Sequence, residues 1–218
     1  MKPDLPQNYV PALRFSWLTK IYDPIVRWTT RESLFKKRLV AKSGLQSGAR
    51  VLDLACGTGT LALLIKNQYP DVEVIGIDGD ENILGIARSK MDNDTARIQF
   101  DQGFATEMPY AEAEFDRVFS TLFFHHLNDQ DKQVVFSETY RTLKIGGVLY
   151  IADWGRPNNI LMRLFFYIVQ LLDGFTNTRA NVEGRLPKYI RDAGFKNVEV
   201  FNSINTLLGT LCLIRAEK

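Results

Sequence analysis

Residues 51–62 read VLDLACGTGTLA. A short β-rich apolar run, opened by Arg50 and carrying an acid at Asp53, gives way to a glycine pair and then to residues at helical spacing. That pattern predicts a buried strand (50–55), a sharp turn over Gly57 to Gly59, and a helix over 60–69. Gly57 and Gly59 let backbone approach a ligand with no Cβ in the way. The bend feeds a helix N-terminus at the carboxyl end of the first strand, where doubly wound sheets hold nucleotides.

Outward from this bend the same alternation repeats. Strands are predicted over 72–77, 96–101, 114–123 and 148–154, with helices over 81–90 and 129–143. Pro70-Asp71 and Gly146-Gly147 act as breakers. Strand–helix alternation at this spacing implies parallel strands joined by right-handed crossovers, with helices on both faces. Beyond residue 155 the pattern changes. Residues 157–176 predict an apolar helical insert and 184–193 another helix. Residues 196–202 and 205–217 predict two strands joined so tightly that they must run antiparallel. Residues 9–43 read as mainly helical. The expected organisation is one domain: a helical N-terminal cap (1–43), a binding core (44–155), an apolar insert (156–183), and a C-terminal helix and hairpin (184–218).

The bend also satisfies G-x-G-x-x-A, the weak signature of a dinucleotide site. Asp53 argues against it. A carboxylate four residues before Gly57 repels pyrophosphate and suits a ligand bearing a sulfonium and an amino group, as S-adenosylmethionine (SAM) does. Asp53 equally serves to cap the loop through its backbone amides, and the two roles are compatible. Asp78, at the end of the second strand, can hydrogen-bond both hydroxyls of a ribose.

These residues carry a resemblance. DLACGTG looks like the first motif of the class I SAM-dependent methyltransferases, with Ala55 where a glycine usually stands. VIGIDGDENILGIAR (74–88), DQGFATEMPYAEAEFDRVFSTLFFHHL (101–127) and LKIGGVLYIADW (143–154) resemble the following motifs in order. The nearest branch is the small-molecule one that includes the ubiquinone and menaquinone C-methyltransferases, whose Tyr-Asp segment is similar to YDPIVRW (22–28). The resemblance implies a Rossmann-like α/β fold with a seven-stranded mixed sheet, order 3-2-1-4-5-7-6, the seventh strand antiparallel. It implies SAM as cofactor, with Asp53, Ala55, Cys56, Gly57 and Gly59 along its methionine end, Asp78 on the ribose with Gly79 turning the chain beneath, and Gly103, Phe104 and Ala105 about the adenine. Phe104 replaces an acid common in the family, which predicts stacking rather than a hydrogen bond. Thr121 faces the cofactor from the fourth strand, and Tyr22 closes over its methionine portion.

His125 and His126 are the only histidines and follow the fourth strand. With Asp153, they are the candidates for acid–base work on the acceptor. On an extended chain two neighbouring histidines point opposite ways, and no Cys/His cluster accompanies them, so no metal is expected. Methyl transfer is an in-line displacement whose leaving group is a neutral thioether, so alignment and exclusion of water should supply most of the rate.

The insert ILMRLFFYIVQLL (160–172) is apolar but for a polar stripe of Arg156, Asn159, Arg163, Gln170 and Asp173. Such a helix is expected to bury most of its surface. It either roofs a hydrophobic acceptor pocket, packs in a homodimer, or lies in a membrane interface. It is too short to span a bilayer. Residues 1–50 hold ten Lys/Arg against three Asp/Glu, a balance of +7. That excess suits an anionic surface as well as a solvated helical face.

Two distant cysteines form no disulfide framework and point to a reducing cytoplasm, and the N-terminus has no apolar signal region. The chain lacks the Asn/Asp-Pro-Pro-Tyr box of base-amino methylators and any appended basic domain, so no nucleic-acid partner is expected. The reading is a methyltransferase for a small hydrophobic or aromatic acceptor. The alternatives are a lipid-like or quinone acceptor at a membrane surface, a non-catalytic SAM-binding partner, and a nicotinamide oxidoreductase.

Overall fold

Alternation at every second residue sorts the strand side chains onto two faces of one sheet. In this computed structural model, which describes residues 30–91 and 97–218, the strands are β1 (Arg50–Leu54), β2 (Glu73–Asp78), β3 (Gln99–Gln102), β4 (Phe115–Thr121), β5 (Leu143–Trp154), β6 (Lys196–Asn205) and β7 (Thr210–Glu217). Val51, Val74, Phe119 and Tyr150 point to one side, where they meet α1 (Glu32–Lys42), α2 (Thr60–Gln68) and α3 (Glu81–Ser89) through Phe35, Leu61 and Leu84. Leu52, Ile75, Val118 and Ile151 point to the other. There they meet α4 (Asp129–Thr142), α6 (Phe175–Val182) and α7 (Leu186–Asp192) through Phe136, Ala180 and Ile190. The remaining α-helix among the described residues, α5 (Ile160–Asp173), contributes Phe166 and Val169 to the first side.

The sheet order is β3-β2-β1-β4-β5-β7-β6. β1 to β5 are parallel, and β7 runs antiparallel to both of its neighbours. The expected fold is therefore the observed one, and the carboxyl ends of β1, β2, β3, β4 and β5 lie side by side.

Several boundaries differ from the sequence reading. β5 begins at Leu143, not 148. Gly146 (φ 76°) lies within the strand, its N–H bonded to the Lys218 carbonyl. A register shift opposite Phe115 and Arg117 absorbs the irregularity. β4 stops at Thr121 because Leu122 turns left-handed (φ 54°). β7 starts at Thr210, after a turn closed by the Thr206 N–H to the Gly209 carbonyl. The insert is two helices, broken at Gly174 (φ 92°). The predicted third strand is shorter and starts at Gln99. Of the predicted N-terminal cap, residues 1–29 lie outside the described residues, and so does Tyr22.

The apolar side of α5, expected to be covered by a pocket, a second copy or a membrane, is not covered by the described residues. The buried residues of this helix are Phe166, Val169 and Gln170. Ile160, Leu161, Leu164, Ile168, Leu171 and Leu172 are exposed, Leu172 by 81%. Part of the polar stripe turns inward instead: Gln170 is buried and Arg163 and Asp173 are half-buried, while Arg156 and Asn159 stay exposed. Arg163 donates to the Gln170 side chain at 2.6 Å, and Gln170 donates to Thr178 at 3.1 Å. Polar side chains that find partners inside bind this helix to α6 and leave its apolar side facing outward among the described residues.

Candidate active site

After β1 the chain makes three left-handed steps, at Ala55 (φ 56°), Gly57 (φ 54°) and Gly59 (φ 73°). Ala55 takes this conformation without being glycine, a strain of about 1–2 kcal/mol. The Cys56 N–H donates to the Ile77 carbonyl at 3.0 Å, which pins the bend to β2. The Cys56 thiol is buried, with its pKa pushed well up by burial and then by Asp53, so it packs rather than reacts.

Two carboxylates fix the bend. Asp78 accepts from the Gly57 N–H at 2.9 Å and from the Asp80 N–H at 3.0 Å. Burial raises its pKa, against these hydrogen bonds. Asp53 is 1% exposed and accepts from the Ala62 N–H at 3.1 Å, in the first turn of α2. The capping role considered from sequence is thus present. The other Asp53 oxygen, Oδ1, is buried and has no hydrogen-bond partner among the described residues. Burial lifts the Asp53 pKa to about 7, partly countered by Lys36. From sequence alone Asp53 is expected to carry a full negative charge. Burial instead leaves it only partly ionised near neutral pH.

Lys36, which sequence reasoning did not single out, reaches this group from α1. Its ammonium bonds Glu32 at 2.5 Å and also bonds the Thr60 hydroxyl. The Thr60 hydroxyl donates to Glu32 at 2.9 Å. A buried cation near Asp53 was legible only as one more charge on a basic helix.

The remaining cofactor candidates line the neighbouring strand ends. Gly103 donates to the Asp78 carbonyl at 3.1 Å, and a Cβ there would lie 2.9 Å from Ile77. Phe104 pairs with Glu107 in an isolated bridge. Ala105 packs against the second core face. The Gly79 carbonyl accepts from Gln102 at 3.3 Å, and Thr121 pairs with Ala152 at the end of β4. A Cβ on Gly57 would meet nothing within 4 Å, so the ligand side of the bend is open there.

At the ends of β4 and β5 stands a second constellation. Asp153, 1% exposed, accepts from the N–H groups of Phe124 (2.6 Å), Phe123 (3.2 Å) and Trp154 (2.7 Å), and from His125 Nδ1 at 2.7 Å. It therefore orients both the imidazole and the turn that carries it. Burial alone would lower the His125 pKa, but Asp153 and then Asp173 outweigh it and raise it. His126 is pushed well below its ordinary value by burial and by His125 and Lys132.

The two histidines do not point apart. Residues Phe124–His126 form a 3-10 turn, so the extended-chain argument fails, and the two rings lie 4.0 Å apart. Both face Asp173, at the C-terminal end of α5. Asp173 belonged to the polar stripe read from sequence, but nothing in the sequence tied it to the histidines. Lys132 Nζ bonds the Leu127 carbonyl and, at 2.7 Å, the Asn177 carbonyl. Asn177 in turn donates to the His126 carbonyl at 2.9 Å. These contacts clamp the turn between α4 and α6.

A glycine bend held by two acids at the carboxyl ends of β1 and β2, in a sheet of this order, defines a class of enzyme: the chain belongs to the class I SAM-dependent methyltransferases. Residues 51–147 match the family described as methyltransferase domain. The chain is similar to the demethylmenaquinone methyltransferase of Lactobacillus johnsonii, at 30% identity over 197 residues, 81% of this chain and 80% of that one. Its fold is that of a chain in the complex between the Haloferax volcanii Trm112 methyltransferase activator and a methyltransferase (TM-score 0.70, 19% identity, 93% and 96% coverage). It is also similar to Haemonchus contortus phosphoethanolamine N-methyltransferase 2 in complex with SAM (TM-score 0.65, 27% identity), covering 77% of this chain and 38% of that one. SAM is the cofactor, and the enzyme transfers its methyl group to a small-molecule acceptor.

Proposed function

We propose that the acceptor is a hydrophobic, quinone-like aromatic ring in its reduced, hydroxyl-bearing form. The observation that carries this reading is the identity to a demethylmenaquinone methyltransferase across four-fifths of both chains. SAM lies along the glycine bend, its ammonium served by Asp53 and its ribose by Asp78. The ring approaches from the side of His125. Because Nδ1 of His125 is tied to Asp153, Nε2 is the atom left to deal with the acceptor's hydroxyl. Loss of that hydroxyl proton makes the ring carbon a nucleophile. The carbon attacks the methyl group in line, the sulfonium leaves as a neutral thioether, the ring carbon then releases its own proton to solvent, and the ring oxygen takes its proton back from His125.

Incubation with methyl-labelled SAM and a panel of reduced demethylnaphthoquinones, phenols and amines tests this. Label in a reduced naphthoquinone ring is expected. Label confined to amines would overturn the reading.

A second proposal concerns where the acceptor is met. We infer that α5 lies in the interface of an anionic membrane. Ile160, Leu164, Ile168, Leu171 and Leu172 offer it an apolar face. Beside the start of that face, Arg156 and Arg163 flank an open surface depression and would supply positive charge to anionic headgroups. No helix among the described residues is long and apolar enough to cross a membrane. Cosedimentation with phosphatidylglycerol vesicles is expected and should be lost in a Leu171→Glu/Leu172→Glu variant. Equal recovery of both proteins in the supernatant, or a dimer that buries α5, would refute it.

A further inference from the structure

We propose that His125 Nε2, His126 Nδ1 and the Asp173 carboxylate form a binding site for one divalent transition-metal ion of the zinc class.

The geometry is the first argument. His125 Nε2 lies 3.7 Å from Asp173 Oδ2, and His126 Nδ1 lies 3.5 Å from Asp173 Oδ1. Both separations exceed the usual 2.7–3.2 Å of an N–H···O hydrogen bond. Each is close to the edge of about 3.3 Å expected between two ligands of a tetrahedral ion with bonds near 2.0–2.1 Å, and because they run to different oxygens a bidentate or slightly rotated Asp173 carboxylate would serve both imidazoles. One donor atom from each of the three residues falls within 4.8 Å of the others. Asp173 thus directs one oxygen at each imidazole without hydrogen-bonding either.

The second argument is the surrounding shell. A metal-bound histidine ordinarily donates its other ring N–H to a carboxylate, which fixes the tautomer and ring orientation. His125 does this with Asp153 at 2.7 Å, and Asp153 is itself held by three backbone N–H groups. The turn bearing both histidines is fixed from outside by Lys132 and Asn177, so the ligands are presented on a rigid support. The nearby ammonium of Lys132 is engaged with the carbonyls of Leu127 and Asn177 rather than with Asp173.

The third argument is electrostatic. Asp173 sits in the last residue of α5, where the helix dipole disfavours a carboxylate unless a cation faces it. A divalent ion supplies that cation and ties the apolar helix to the turn after β4. Two imidazoles and one carboxylate suit zinc, cobalt, nickel or ferrous iron better than magnesium or calcium. Three protein ligands leave a position for water or an acceptor oxygen. Only that last role rests on the proposed acceptor. A bound ion would lower the pKa of a hydroxyl coordinated in that position, whose proton would pass to solvent, whereas without an ion Nε2 takes the proton directly.

The test uses tag-free full-length protein stripped with a chelator and titrated with Co²⁺ in the absence of any acceptor. The proposal expects one equivalent bound, visible absorption of a four-coordinate site with nitrogen and oxygen ligands, and displacement by Zn²⁺. His126→Ala and Asp173→Asn should abolish the bands, and Asp153→Asn should weaken Zn²⁺ binding by about tenfold or more. SAM binding by each variant checks its folding. Featureless wild-type spectra would overturn the site, as would thiolate-to-cobalt absorption from Cys56 or Cys212, or unchanged binding in a folded Asp173→Asn protein. Metal binding without label in any quinone would fault the acceptor instead.

Discussion

The Asp78 carboxylate, at the end of β2, accepts the Gly57 N–H at 2.9 Å, from a residue 21 positions earlier in the chain. One acid therefore serves two purposes. It locks the bend after β1, and it presents its remaining lone pairs at the position where the resemblance puts the ribose. Asp78→Ala should weaken SAM binding at least about tenfold, the loss expected when a charged hydrogen-bond acceptor is removed. Asp78→Asn should lose less because it still accepts from Gly57. Calorimetric titration of the three proteins checks this, and equal affinities would remove Asp78 from the cofactor site.

The acid at Asp53 makes cofactor binding depend on pH. Burial raises its pKa to about 7 in the ligand-free protein, far above the unfolded value. An acid raised on folding holds its proton in the folded state. Its contribution to stability is then least unfavourable below about pH 4 and worsens as pH rises toward 7. Bound SAM, a cation, favours the carboxylate. Affinity should therefore increase roughly tenfold between pH 5.5 and 7.5, a range in which an α-amino group of pKa near 8 stays mostly charged. Binding near neutral pH should release a proton, visible as a buffer-dependent heat. Asp53→Asn should show neither effect.

The two glycines of the bend are required for different reasons. A Cβ on Gly59 would stand 2.8 Å from the Phe100 ring and 3.0 Å from Ala87. A Cβ on Gly57 would meet nothing within 4 Å. Gly59→Ala should thus lower the melting temperature by several degrees, through overpacking of about 1–3 kcal/mol added to left-handed strain. Gly57→Ala should cost only the strain, yet bind SAM much more weakly. Thermal melts with and without cofactor separate the two variants.

How far the sequence carried the fold depends on the length scale of the cause. The five parallel strands, the antiparallel hairpin and the bend at Gly57–Gly59 follow from local period and breakers and were legible, whereas the strand order came with the family resemblance. The start of β5 at Leu143 was not legible. Gly146-Gly147 reads as a stop, whereas pairing with β4 and β7 carries the strand through it. That α5 turns its apolar side away from the other described residues was not legible for a similar reason. An apolar helix suggests burial, but its few polar residues, Arg163 and Gln170, had partners that only the tertiary structure supplies. Asp53 and Asp78 could be placed because the bend lies next to them. The meeting of His125 and His126 with Asp173 needed a 3-10 turn and a helix end from another part of the chain, and neither leaves a local mark.

In the proposed site Asp53 and Asp78 serve the cofactor end and His125 and Asp153 the acceptor end. The most direct test is the single-turnover rate of His125→Ala at saturating SAM with a reduced naphthoquinone acceptor. A fall of about 100-fold or more is predicted, in line with loss of a proton-handling group, while the SAM dissociation constant stays within about twofold of wild type. A wild-type rate, or a rate restored simply by adding more SAM, would contradict it.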